Sequence, residues 1–471
     1  MLTDRKIHIV FISAFSLCLA YGCWLYVSHF VIDGHYKKLS LRHLIQPSRI
    51  SGPYEAELSR TLSRDQHWSL HGLAYLKHKF LKTGITSKVL IGQDDWLFLQ
   101  EEDGRKVLHQ SLRIYRYTPL ELRSWCLNIR QRNFWAHKYG IDYVLAIAPN
   151  KASIYPEYLP ERFHSPTRSR SLDQLIADLP DITIIDLTDS IRNRKSQGLL
   201  YYPTDTHWNA TGAYWGYRAL MQRLPPPYAT TPLSRTELYI RDSMQRNGDL
   251  NRMALAISDR REKVDYPVPV STRTQSREEK AESAGVSINT QVFTQADTSL
   301  ARVVFDHDSY LKDFEPLFAE HFSESTFLWG FQDFHADLIR RKQVDLVVDE
   351  FVERALIGPT PRNEWPVIQE FWAEHFDTLA PFIQLDDLSF PELIPALQKL
   401  DLPTDRIAVL RIHSKPRETD KLVIDYGTEQ GYYWLREEGD VYYLEYDSKQ
   451  VQNFRVENQT PHTIKVEVRL Y

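Results

Sequence analysis

The segment Tyr201-Tyr202-Pro203-Thr204-Asp205-Thr206-His207-Trp208-Asn209 sets a carboxylate and an imidazole two residues apart, between apolar runs. In an extended segment, side chains two apart point to the same side. Asp205 can then hydrogen-bond one ring nitrogen of His207 and leave the other free as a base. An ordinary surface turn has the same composition, so the pair needs a hydroxyl to act on. Asp306-His307-Asp308-Ser309-Tyr310 supplies one: Val303-Val304-Phe305 reads as a strand, and Ser309 opens a helix expected over Leu311–Phe322. A serine on such a turn exposes its Oγ beside the free N–H groups of a helix N-terminus, which could stabilise an oxyanion. The same residues also fit Asp308 or Ser309 as a plain N-cap. Serine is a weak nucleophile near neutral pH and needs an adjacent imidazole to take its proton. An acyl-serine would then split a transfer into two steps, with His207 deprotonating the acceptor in the second. No third ligand is placed by spacing beside Asp205 and His207, so no metal is expected, and no cofactor-binding motif is present.

The elements around these residues alternate. Leu90–Leu99 reads as two strands joined by a turn at Gly92–Asp95, and residues 118–138 have helical periodicity. Tyr143–Ala148 is a strand ended by Pro149-Asn150-Lys151, the place where an α/β sheet carries ligand-binding loops. A helix over Ser171–Leu179, a strand over Ile182–Leu187 and a helix over Ala210–Leu224 follow; Val344–Val348 is a later strand that runs into acidic residues. This pattern argues for a parallel-sheet α/β domain. Residues 256–300, rich in charge, Ser and Thr, read as a long surface insertion, and 365–400 as a helical connector. From 403 onward six short alternating strands (407–412, 421–426, 432–435, 441–446, 453–456 and 464–470) predict a small β-sandwich.

Composition bounds the alternatives. The 471 residues, 42% hydrophobic, provide a substantial core. A formal charge of -5 with no dense basic run gives no support to nucleic-acid binding. Of three cysteines, Cys18 and Cys23 lie in the first apolar run, so Cys126 has no disulfide partner in the remainder. That run, residues 7–32, is long enough to cross a hydrocarbon core of roughly 30 Å and lacks a small-x-small cleavage site, which predicts an uncleaved signal anchor. Arg5 and Lys6 precede it while Lys37, Lys38 and Arg42 follow, so the flanking charges favour the orientation opposite to an exported domain.

Six motifs in order carry a family resemblance. They are Gly92-x-Asp94-x-Trp96-Leu97-Phe98; Pro149-Asn150-Lys151 with Tyr155–Pro160; Thr204–Asn209; Gly248-Asp249-Leu250; Asp308-Ser309-Tyr310; and Val344–Val347 with Glu353-Arg354. The chain resembles, over roughly residues 85–360, the AlgJ/AlgX-like group of SGNH-type polysaccharide O-acetyltransferases. The resemblance implies a circularly permuted SGNH-hydrolase-like sheet in which Asp205 orients, His207 is general base and Ser309 becomes acetylated. It implies an oxyanion donor, for which Asn150 at a strand end is the candidate and a turn role the alternative. Lys151 could neutralise a uronate or be a solvated loop lysine, and Trp208 and Tyr310 are further substrate-contact candidates. His307 stands where the family usually has Gly, with a structural or solvent-facing role expected.

The domains expected are an anchor over 1–33, a stalk over 34–85, an SGNH-like domain over 86–362, a connector over 363–402 and an accessory sandwich over 403–471. The function expected is that of a membrane-anchored, periplasm-facing O-acetyltransferase at the inner membrane, acting on an exopolysaccharide. The resemblance implies an MBOAT-type membrane acyltransferase as acetyl donor. In related proteins a C-terminal sandwich binds polysaccharide, and Tyr432, Tyr433, Trp434, Tyr442, Tyr443 and Tyr446 raise the same expectation here. The alternatives are a carbohydrate esterase with the same three residues, or a non-catalytic glycan-binding scaffold.

Overall fold

A computed structural model describes residues 86–163, 169–254, 258–283, 286–329, 334–357, 360, 363–403, 405–413, 421–425, 430–434, 441–446, 453–457 and 464–471. The expected anchor over 7–32 and the lead-in over 33–85 lie outside the described residues. Among the described residues, no helix is long and apolar enough to cross a membrane.

The chain begins with a hairpin, β1 (Val89–Ile91) and β2 (Leu97–Leu99), turned at Gln93–Asp95 as its sequence predicted. Helix α1 (Pro119–Lys138) starts where it should: the Thr118 hydroxyl accepts from the Glu121 N–H, the Glu121 carboxylate reaches back, and Pro119 sits at the first turn. It leads into β3 (Asp142–Ala148), the short helix α2 (Lys151–Ile154), α3 (Ser171–Asp178), β4 (Thr183–Asp186) and α4 (Ala210–Arg223). A two-stranded ribbon of β5 (Leu238–Arg246) and β6 (Glu262–Pro269) brackets α5 (Asp249–Met253). Then come β7 (Thr274–Ser283), β8 (Val286–Gln295), β9 (Arg302–His307), α6 (Glu315–Ala319), β10 (Glu324–Trp329), α7 (Ala336–Lys342) and β11 (Leu346–Val352).

Seven strands form the main sheet in the order β4-β3-β11-β9-β10-β8-β7. The first five are mutually parallel, so the C-terminal ends of β3, β9 and β11 meet along one edge. Near-continuous burial of β3, β9 and β11 reflects helices on both faces. The fold is thus SGNH-hydrolase-like α/β, with a mixed sheet and a β-rich C-terminal region. Two expectations are corrected here. Residues 256–300 are no irregular insertion: β7 and β8 pair antiparallel and extend the sheet at β10. Their alternating faces are rich in Thr, Gln and Glu because β7 is an edge strand, and that polarity hid the period. The helix expected over Leu311–Phe322 shrinks to α6, because Asp313 takes a left-handed φ of 72° and Pro316 sits in the first helical turn.

The connector 363–402 is also only partly helical. Between α8 (Trp365–His375) and α9 (Phe390–Gln398) runs β12 (Ala380–Leu388), which pairs with the last strand of the chain. The strands β13 (Ala408–His413), β14 (Lys421–Asp425), β15 (Gln430–Trp434), β16 (Val441–Tyr446), β17 (Asn453–Glu457) and β18 (Ile464–Leu470) form two sheets, β12-β18-β13-β16 and β15-β14-β17. One face of the first is covered by Phe390, Leu393, Ile394 and Leu397 of α9. On the other, Ile407, Val409 and Tyr443 pack with Phe371 and Trp372 of α8 and with Leu120 and Leu127 of α1. Tyr442 and Tyr446 are core residues; the side chains of Tyr432, Tyr433 and Trp434 lie outside the described residues.

Candidate active site

The loop 201–208 is closed by a bridge between Tyr201 and Trp208 and by the Asn209 N–H donating to Leu200 O at 2.9 Å. Within it the chain turns. Asp205 and His207 therefore meet for a different reason than strand alternation: Asp205 Oδ1 accepts from the His207 backbone N–H at 3.1 Å, an Asx-type turn. The same oxygen lies 2.7 Å from His207 Nδ1, and His207 Nε2 lies 2.8 Å from Ser309 Oγ. The structure thus brings together all three residues the sequence singled out, across 102 residues of chain. Asn209 caps α4, accepting from the N–H groups of Thr211 and Gly212.

Asp205 is buried and its second oxygen accepts from the Asp249 N–H at 3.0 Å, with Arg246 Nη2 at 3.5 Å. Burial pushes its carboxyl up, but the hydrogen bond and charge of His207, with the two N–H donors, outweigh it and hold Asp205 below the usual carboxylate range. An ionised Asp205 fixes the proton of His207 on Nδ1 and leaves Nε2 as acceptor toward Ser309. The sequence marks Asp249 only as part of the Gly248-Asp249-Leu250 motif. It accepts from Thr206 N at 2.7 Å and from Thr206 Oγ1 at 2.5 Å, and comes within 3.6 Å of His207 Nδ1. Gly248 is what admits it: a Cβ there would sit 2.1 Å from Thr204 O. Among the described residues, Asp205, His207 and Asp249 form the one group whose ligand atoms approach closely enough to suggest a metal. Those atoms are already engaged with one another and with Thr206, which fits a hydrogen-bonded relay.

Ser309 follows the C-terminal end of β9 on a turn fastened by Asp308. The Asp308 carboxylate accepts from Tyr310 N and from Val352 N at the end of β11, each at 2.8 Å. The Ser309 amide makes no hydrogen bond among the described residues. No helix N-terminus stands behind it, contrary to the expectation, because α6 begins six residues later.

The remaining candidates turn out to be framework. Asn150 is buried, with Nδ2 donating to Gln110 Oε1 at 3.1 Å and its backbone N–H to Glu353 Oε2, so its amide is committed away from an oxyanion. Lys151 is neither solvated nor facing a substrate: it is buried, with Nζ on three backbone carbonyls. Trp208 and Tyr310 are 5% and 1% exposed. Trp208 Nε1 donates to Tyr310 O at 2.9 Å and Tyr310 Oη to Thr206 O at 2.9 Å, so the two rings bolt the His207 loop to the Ser309 turn. Arg354 reaches Tyr310 Oη at 3.2 Å. His307 is structural: its Nδ1–H donates to Asp308 O at 2.8 Å, and burial lowers its pKa to about 4.

Residues 89–300 match the family model described as the SGNH hydrolase-like domain of acetyltransferase AlgX. The match covers Asp205 and His207 and ends before Ser309. Among curated relatives, the probable alginate O-acetylase AlgJ of Pseudomonas aeruginosa is 33% identical over 129 residues, 26% of this chain and 30% of that protein. AlgJ of Pseudomonas fluorescens is 27% identical over 224 residues, 44% of this chain and 50% of that one. The chain therefore spans at most half the length of these curated relatives. Among solved structures, the O-acetyltransferase domain of Pseudomonas putida AlgJ aligns with a TM-score of 0.40 and 18% identity over 62% of this chain and 98% of that one. AlgX of P. aeruginosa aligns with 0.43 and 13% over 81% and 94%. The resemblance drawn from the six motifs is borne out.

Proposed function

We propose that this chain is an O-acetyltransferase that passes an acetyl group through Ser309 to a hydroxyl of a polysaccharide. The observation that carries the reading is the unbroken contact from Asp205 Oδ1 to His207 Nδ1 at 2.7 Å and from His207 Nε2 to Ser309 Oγ at 2.8 Å. In the first step Ser309 Oγ attacks the acetyl carbonyl of the donor while its proton moves to His207 Nε2. The donor's leaving group departs with that proton, and the acetyl remains as an ester on Ser309. In the second step His207 takes the proton of a sugar hydroxyl, whose oxygen attacks the ester carbonyl; Ser309 leaves and recovers the proton. Asp205 stabilises the imidazolium formed in each step. The uncommitted Ser309 N–H is available to the developing oxyanion.

The acceptor is an exopolysaccharide of the alginate type or another, by similarity to the AlgJ relatives. The donor is a membrane-embedded acyltransferase of the MBOAT type, since the chain carries no phosphate-binding loop for an acyl-CoA. Residues 7–32 anchor the chain in the inner membrane with the catalytic domain on the periplasmic side. A hydrolytic outcome shares the first step; His207, 25% exposed, leaves a path for water.

The deciding experiment incubates the protein with an activated acetyl ester, with and without an oligosaccharide acceptor, beside S309A. Acetyl found first on Ser309 and then on the sugar is the expected result. Acetyl lost only to water makes the enzyme an esterase, and a Ser309→Ala variant equal to the native chain removes the nucleophile from the reading.

A further inference from the structure

Two of the six motifs that supply no group to the relay are the Gly92–Phe98 hairpin and Pro149-Asn150-Lys151 with Tyr155–Pro160. They converge on one ammonium. Lys151 begins α2 immediately beyond β3, at the sheet edge that carries Ser309, and is 4% exposed. Its Nζ donates to the carbonyl oxygens of Tyr202 at 3.1 Å, Pro203 at 3.0 Å and Asp205 at 2.7 Å. An ammonium has three N–H donors, and each finds one acceptor here. The faces of Phe98 and Trp96, with centroids 5.2 and 5.7 Å away, close the cage from the hairpin. Trp96 lies flat on Tyr158 at 4.2 Å and against Tyr155 at 4.7 Å, and Leu97 N donates to Pro203 O at 2.9 Å. Tyr202 O also accepts from Asp205 N at 3.4 Å, but the Asp205 carbonyl has no donor besides Nζ among the described residues, and a buried carbonyl without a donor is unfavourable.

We propose that Lys151 is a positioning residue: its ammonium gathers the carbonyls of Tyr202, Pro203 and Asp205 and so fixes the turn that aims Asp205 and His207 at Ser309. The proposal rests on the Ser309 reading above. The charged groups facing Nζ are Asp249 on α5, Asp205 on the turn itself, Glu262 on β6 and Arg260 just before it, while Arg354 shares a cavity of about 20 Å³ with the lysine. Burial drives the ammonium down and the carboxylates draw it back, leaving a pKa lowered to about 7. A neutral amine has two N–H donors, so deprotonation releases one carbonyl of the turn. The unfolded chain keeps the lysine proton to higher pH than the folded one. This group therefore lets stability rise with pH from about 7 toward the ordinary lysine range, while the relay loosens. A lysine that served folding alone would not make stability and reactivity diverge.

The test labels the full-length protein with phenylmethanesulfonyl fluoride and follows the Ser309 adduct by mass, which needs neither donor nor acceptor. In the native chain the labelling rate is expected to decline on an alkaline limb that starts near neutrality. K151M is expected to lose maximal labelling rate on the order of 100-fold at unchanged half-saturation by reagent. Labelling of K151M at the native rate, or a native rate level from about pH 7 to about 10, overturns the proposal. If K151M does not fold, the native pH profile decides alone. A native chain whose Ser309 takes no label overturns the nucleophile itself, a result distinct from the failure of Lys151.

Discussion

Two carboxylates of unequal kind stand behind His207 in the proposed relay. Asp205 touches the imidazole directly; Asp249 works mainly through Thr206, with His207 Nδ1 at 3.6 Å. D205A is expected to lower the rate of Ser309 acetylation on the order of 10⁴-fold, and D249A by a smaller factor, both read by burst kinetics with an activated ester. Asp308 holds the turn itself. Losing its bonds to Tyr310 N and Val352 N should cost about 2–3 kcal/mol in D308A, measured as a lowered denaturation midpoint. His307 adds an acid sensitivity with a definite sign. Its pKa is depressed to about 4 in the fold, so on acidification the unfolded chain takes the proton first. Stability contributed by neutral His307 is present above the ordinary histidine range and is lost as pH falls from about 6.5 to about 4, up to roughly 3 kcal/mol. His321, lowered to about 4 by burial, acts in the same direction. H307N, which keeps a donor for Asp308 O, should lessen the loss in acid unfolding curves. The relay residues were legible because their types and neighbours are specific. Asp249 was not, because only the approach allowed by Gly248 brings it beneath Thr206.

At the scale of elements, two loops from distant parts of the chain form one rigid unit through Trp208 and Tyr310. Gly216 on α4 leaves room for that unit: a Cβ there would meet the Trp208 ring at 2.8 Å. G216A should therefore destabilise by about 1–3 kcal/mol through overpacking and slow Ser309 labelling, because Trp208 must move with the His207 loop. W208F, which removes the bond to Tyr310 O, should cost roughly 1 kcal/mol in thermal unfolding and disturb the relay in the same sense. Aromatic residues beside a nucleophile read naturally as substrate contacts. Their burial depends on what packs over them, and local sequence carries little of that. Strands flanked by helices, such as β3 and β11, announced themselves as apolar runs; β7 and β8 did not, since an edge hairpin keeps polar residues on its open side.

At the scale of the molecule, the C-terminal sheet is docked onto the α/β domain by specific polar contacts. Glu445 on β16 accepts from Trp372 Nε1 at 2.7 Å and from Gln131 on α1, and Gln369 exchanges hydrogen bonds with the backbone of Tyr443. Because β12 belongs to that sheet, a fragment starting at residue 400 lacks an edge strand and the helix α9 that covers Phe390–Leu397 positions. Such a fragment is expected to fail to fold, while one starting at 363 retains both; circular dichroism of the two fragments checks this. Deep in the main sheet, Arg132 of α1 meets Asp349 at 2.6 Å with both side chains fully buried. R132M leaves that carboxylate without its cation and should cost about 3–5 kcal/mol, measured by chemical denaturation.

By itself the sequence determined the class of fold and singled out the Asp205, His207 and Ser309 that the structure places in contact: apolar runs of strand length between amphipathic helices specify a sheet, and Ser, His and Asp are residue types with a chemistry few others share. Tertiary structure alone decided what the neighbours do. Lys151, Asn150, Trp208 and Tyr310 changed from oxyanion or substrate candidates to framework because side-chain role follows burial and partner geometry. Those partners come from segments up to about two hundred residues away, as with Asn150 and Glu353, 203 residues apart. No local pattern encodes a meeting that only the packed sheet edge brings about.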